Sequence, residues 1–176
     1  MKTKRLVLSA LFAALTFVAT MVIQIKLTAN GYVNIGDCMV VVSGVFLGPV
    51  YGALSAGIGS MLADIISGYF VYVPATFIIK AIMALVAFVV FKILSKRNNI
   101  FAIAVASFVS ELIMIFGYYF YEIILYGAKA AFVGMPGNLL QGGFGFLCSI
   151  VLYLAISKNK YIKNQITYWQ KSKKMS

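Results

Sequence analysis

Asp37, Asp64, Glu111 and Glu122 are the four acidic residues of this chain, and each lies in or beside a long apolar stretch. Lys80 lies inside another. An ionised group in hydrocarbon is costly, so charges kept there face a bundle interior or a cavity and mark a functional site. The chemistry open to this set is narrow. There is no histidine, which removes the commonest general base and metal ligand. Cys38 and Cys148 sit in separate apolar runs, with the spacing of neither a disulfide framework nor a metal site. Intramembrane aspartyl proteases of the G-x-G-D type need two aspartates, and Asp37 and Asp64 match superficially. The run here is Asn34-Ile35-Gly36-Asp37, which departs from that motif, and both residues fall near segment ends. Binding is the better reading: no catalytic residue, metal or cofactor is expected.

The elements that must position these residues follow from composition. Of 176 residues 62% are hydrophobic and 11% charged, with a mean hydropathy of +0.98; soluble domains carry roughly a quarter charged residues. This is an integral membrane protein in a lipid bilayer. Apolar segments at 6–25, 36–48, 50–67, 74–95, 100–125 and 132–156 predict six crossings, since a helix needs about 20 residues to span the hydrocarbon. The second segment is short, at roughly 20 Å for 1.5 Å per residue. It is expected to be tilted, extended upstream through Tyr32, or locally re-entrant. The first run is longer than the roughly 7–15 apolar residues of a signal peptide and lacks a clear cleavage site, so it reads as a span.

The net charge of +11 does not point to nucleic acid, because of its layout. Twelve of the fifteen bases fall in three clusters that abut apolar runs: Lys2, Lys4, Arg5; Lys92, Lys96, Arg97; and Lys158, Lys160, Lys163, Lys171, Lys173, Lys174. Six crossings place all three on one side, the positive-inside pattern of cytoplasmic segments. The expected fold is an all-α bundle of six transmembrane helices, with both termini cytoplasmic, in the cell membrane. Residues 1–158 are expected to form the six-helix transmembrane domain and 159–176 a basic cytoplasmic tail.

With that topology Lys80 lies about two turns from the outer end of its helix. Glu111 is near the middle of the fifth helix, and Asn138 and Gln141 lie one to three turns into the sixth. Glu122 lies near the outer end of the fifth. Asp37 and Asp64 read as structural, at helix ends near the outer face, with Asp37 suited to an N-cap. The alternative for these charges is a structural ion pair, for instance Lys80 with Asp64 or Glu111, which would lower the cost of burial without any ligand. The polar set belongs to the outer half, which suggests a cavity open to the outside and plugged below. Tyr118, Tyr119, Tyr121 and Tyr126 cluster at its rim, as an interfacial aromatic belt or a stacking lid. Small residues four apart, at Ser9/Ala13, Ala10/Ala14 and between Gly52 and Ala63, make faces for close helix packing, within the bundle or against a partner.

The runs Tyr32–Asp37, Phe46–Ala53, Ser60–Asp64 and Pro74–Lys80 resemble the substrate-binding S components of energy-coupling factor (ECF) transporters, of the riboflavin type. The resemblance covers nearly the whole chain. It implies a six-helix subunit that binds a water-soluble vitamin or precursor from outside. Uptake is then powered by a partner T component and two ATPase subunits, which agrees with the lack of a G-x-x-x-x-G-K-[ST] phosphate loop here. It also implies that Ala10 and Ala14, as an A-x-x-x-A pattern, dock the T component. Ligand contacts are implied in the outer halves of the later helices and the first outer loop. The candidate ligand set is Lys80, Glu111, Tyr118, Glu122, Asn138, Gln141 and Asn34. A small hydrogen-bonding ring of the pyridoxine or hydroxymethylpyrimidine class suits it better than riboflavin, with the ring accepting a hydrogen bond from Lys80 or Gln141. The alternative is a solitary secondary carrier or facilitator; no internal repeat of the kind common in such carriers is evident.

Overall fold

The computed structural model describes residues 2–22, 24–28 and 31–159. The bulk of the predicted tail, from residue 160, lies outside the described residues. Six helices follow the apolar segments closely: α1 Lys2–Val22, α2 Gly36–Leu47, α3 Pro49–Ser67, α4 Val73–Leu94, α5 Asn99–Tyr126 and α6 Ala128–Ser157. Between α1 and α2 the chain forms an antiparallel hairpin, β1 Gln24–Thr28 and β2 Gly31–Asn34, pairing Gln24 with Asn34 and Ile25 with Val33. The six helices are those of the expected all-α bundle; only the end of the first span, expected at residue 25, is corrected here. Helix α1 stops at Val22 and the next segment pairs as strands.

Among the described residues five helices are long and apolar enough to cross a membrane; α2, with twelve residues, is not. Its sequence is apolar nearly all round, and such a helix belongs in a core. All twelve residues are buried. The five long helices ring it and turn large apolar side chains outward, such as Leu11, Leu54, Ile82, Phe116 and Leu147. No α2 residue joins that outward set. The arrangement is that of a bundle in lipid.

Tight connections hold the ring together. Gly48, at φ 85° and ψ −177°, alone separates α2 from α3, and Pro49 opens α3 at its first turn, where its missing N–H costs nothing. Gly127 at φ 83° alone separates α5 from α6. The α4–α5 turn ends on Asn98, whose side chain accepts from the backbone N–H of Ile100 at 2.8 Å and of Phe101 at 3.3 Å. Helix α6 starts one turn before the predicted segment and carries Pro136 internally, so the Phe132 carbonyl loses its i+4 donor.

The two ends of the bundle differ. At the end holding the chain's N-terminus, Phe46 stacks on Tyr153 with Phe91 and Phe12 beside them, over Val41, Val42, Val45, Ala102, Ile103 and Ala106. The other end, the hairpin end, joins the hairpin, the α3–α4 loop and the C-terminal turns of α5. Here Gln24 donates to Ser67 at 2.9 Å and Tyr121 to the Val71 carbonyl at 2.5 Å. The buried charges lie between this rim and the apolar floor.

Candidate functional site

The hairpin returns the chain to the start of α2 inside the bundle. Asn34, the last residue of β2, folds its Oδ1 onto the Gly36 N–H at 2.8 Å. Asp37 follows in the first turn of α2, fully buried. Its Oδ1 forms an ion pair with Lys80 Nζ of α4, and its Oδ2 accepts from Gln141 Nε2 of α6 at 2.7 Å. Gln141 Oε1 accepts from both the backbone N–H and Nδ2 of Asn34 at 3.3 Å. One network thus ties β2, α2, α4 and α6. Lys80 lies seven residues into α4, about 10 Å along its axis, which sets the depth of Asp37 as well.

Two expectations are corrected here. Asp37 is not an outer-edge cap: α2 has no side-chain N-cap, and it is Asn34 that secures the turn. The partner of Lys80 is Asp37, neither Asp64 nor Glu111. Because α2 begins within the bundle instead of at its surface, its first turn meets the second turn of α4.

Glu111 comes from the middle of α5 and is buried, with neither carboxylate oxygen in a hydrogen bond. Its place is set by α6. A Cβ added at Gly145 would stand 2.4 Å from Glu111 Oε1 and 3.1 Å from the Asp37 Cβ. The missing side chain at Gly145 therefore makes room for the carboxylate beside Asp37. The two helices run antiparallel in a register that also sets Glu122 against Gly134, 2.9 Å from the corresponding Cβ position.

Toward the rim, Tyr118 shares a 3.0 Å hydrogen bond with Thr76, and its ring lies 5.4 Å from Lys80 Nζ, within range of a cation–π contact. Tyr72 packs edge-on against Tyr121 and Tyr69 and donates to Glu122 at 3.3 Å. Burial, with Glu122 as the next cause, raises the Tyr72 phenol well above its ordinary pKa, so it remains a neutral donor. Glu122 belongs to this aromatic rim, a tier above the Asp37 network.

Lys80 and Gln141 meet on Asp37, and Asn34 meets Gln141, with Tyr118 beside Lys80 and Glu111 beside Asp37. Asn138, one turn from Gln141, is half-buried and makes no side-chain hydrogen bond among the described residues. Asp64 lies in the last turn of α3, its carbonyl accepting from the Tyr69 N–H at 2.9 Å. On α1 the two small-residue faces separate. The Ser9 carbonyl accepts from Ser55 of α3 at 2.8 Å and the Ala13 carbonyl abuts Gly59, while Ala10 and Ala14 are exposed.

The model of the family described as ECF-type riboflavin transporter, S component, matches residues 1–158. The chain belongs to this family. As an S component it is a multi-pass subunit of the cell membrane and not an enzyme; S components work with a T component and ATPases. A solved structure of the S component of a bacterial ECF transporter shares its fold, with a TM-score of 0.68 at 23% identity over 90% of this chain and 98% of that one. An uncharacterised protein of Pyrococcus woesei is 31% identical over 140 residues, covering 74% of this chain and 91% of the relative.

Proposed function

We propose that this S component captures a small water-soluble vitamin or precursor, of the pyridoxine or hydroxymethylpyrimidine class in preference to riboflavin, and presents it for ATP-driven uptake. The observation that carries the reading is the convergence of Asp37, Lys80, Glu111, Asn34 and Gln141 from five elements, beneath Tyr118 and above an apolar floor. Hydrogen-bonding groups with an aromatic face beside them suit a polar ring, since a few placed polar groups fix orientation while aromatic surface provides contact area. The close spacing of these groups favours one ring over a fused three-ring system with a sugar-alcohol chain.

The hairpin end faces outside in this reading. Lys4 and Arg5, the Lys92–Arg97 cluster and Lys158 all belong to the opposite end, where positive-inside placement puts the cytoplasm. Ala10 and Ala14 then face the T component. Native mass spectrometry of detergent-purified protein with a B-vitamin panel tests the reading. Retention of a pyridine or pyrimidine vitamin is the expected result. Preferential retention of riboflavin overturns the ligand class, and no retention across the panel overturns capture.

A further inference from the structure

Hydrogen-bonding capacity in the network is unevenly spent. Asp37 has one oxygen on Lys80 and the other on Gln141; Gln141 Oε1 serves Asn34, and Asn34 Oδ1 serves Gly36. Glu111 alone of these side chains has both acceptor atoms buried without a donor. The register set by Glu122/Gly134 and Glu111/Gly145 brings Ser107 and Ser149 opposite one another a turn farther in. Both hydroxyls are buried and neither makes a hydrogen bond, so among the described residues no donor reaches the carboxylate from below.

Charge points the same way. Asp37 and Glu111 bring two negative charges against one positive charge on Lys80, a surplus of one carboxylate far from the bases of the opposite end. An unpaired buried carboxylate is strongly unfavourable. An occupant that supplies a proton or a positive charge there gains that energy on binding. A ring that only accepts hydrogen bonds gains nothing from Glu111, and it meets a lysine and an amide already engaged by Asp37.

We infer that the ligand brings an amino-substituted or protonated ring nitrogen to Glu111, and that this residue, seated against Gly145, selects it. This rests on the capture reading above. An aminopyrimidine meets the requirement: its exocyclic N–H donates to one carboxylate oxygen, while the adjacent ring nitrogen, protonated, donates to the other.

The test is a matched pair of probes, 4-amino-5-hydroxymethyl-2-methylpyrimidine and its 4-oxo counterpart, titrated calorimetrically into detergent-purified wild-type protein and Glu111→Gln, with riboflavin as a third probe. The wild type is expected to bind the amino ring at least about tenfold tighter than the oxo ring, the worth of one charge-assisted hydrogen bond. Glu111→Gln, with a donor of its own, should bring the two within a few fold. The inference is overturned if the wild type binds both rings equally or prefers the oxo ring, or if the preference survives Glu111→Gln. Riboflavin binding equally to both proteins, with neither pyrimidine bound, overturns the inference and leaves capture standing. Silence from all three probes and from the wider vitamin panel removes capture itself.

Discussion

Asp37 and Lys80 are buried to within a few per cent, so each charge depends on the other to offset its desolvation. Replacing one leaves the other stranded, at about 3–5 kcal/mol for a buried pair. Asp37→Asn is therefore expected to lower the thermal midpoint in detergent sharply while still accepting from Gln141. Adding Lys80→Met should restore most of that loss, because removing both charges of a buried pair is often neutral. A double variant as unstable as the sum of the singles would show that the pair is not coupled. Gly145→Ala makes a different cut. The new methyl meets the end of a flexible carboxylate rather than backbone, so the fold should tolerate it within about 1–3 kcal/mol. Glu111 must shift, and ligand affinity, read by calorimetry, should fall with it. The burial of Glu111 and Lys80 was legible from charge in an apolar run. The pairing was not, because the depth of Asp37 depends on where α2 starts, and a short apolar segment does not say which of its ends is sunk.

At the scale of elements, three glycines separate three physical causes. Gly44 brings α2 against α4 so closely that a Cβ would stand 2.0 Å from the Ala84 carbonyl oxygen. Gly44→Ala must push the helices apart and should cost about 1–3 kcal/mol or more. Gly48→Ala meets no atom within 4 Å, yet its backbone lies in a region that essentially only glycine adopts, at about 1–3 kcal/mol. Gly143, exposed on α6 with nothing near its Cβ position, should gain about 0.5–1 kcal/mol as alanine from helix propensity. Thermal unfolding of the three variants should give two losses and one gain; a uniform loss would mean that these local geometries do not govern stability. The helices themselves were readable to within a few residues, since apolar length dominates in lipid. The strands Gln24–Thr28 and Gly31–Asn34 were not, because short strands of mixed polarity have no long periodic signal. Their consequence is large, for they deliver Asn34 and Asp37 to the network.

For the whole molecule, the proposed docking role gives helix α1 two faces, one for the fold and one for assembly. Ser9, Ala13, Thr16 and Thr20 face the bundle: Ser55 and Gly59 of α3 close on the first two, and Gly36 lies against Thr20. Ala10 and Ala14 face away, among exposed Leu6, Val7, Leu11 and Val18. Small residues on an outward face let another helix approach closely, where packing drives association in lipid. Ala14→Leu fills that face without touching the bundle, so ligand affinity and thermal midpoint should match the wild type. Recovery of T component and ATPases on affinity purification from membranes should drop by about tenfold, the equivalent of about 1.4 kcal/mol of helix packing. Gly59→Leu attacks the inner face, where a side chain meets the Ala13 backbone, and should lower stability, ligand binding and assembly together. Phe116→Leu, on the outward face of α5, should change none of them. Full assembly of Ala14→Leu would remove α1 as the docking helix, and loss of ligand binding in the same variant would show that its two faces are not independent.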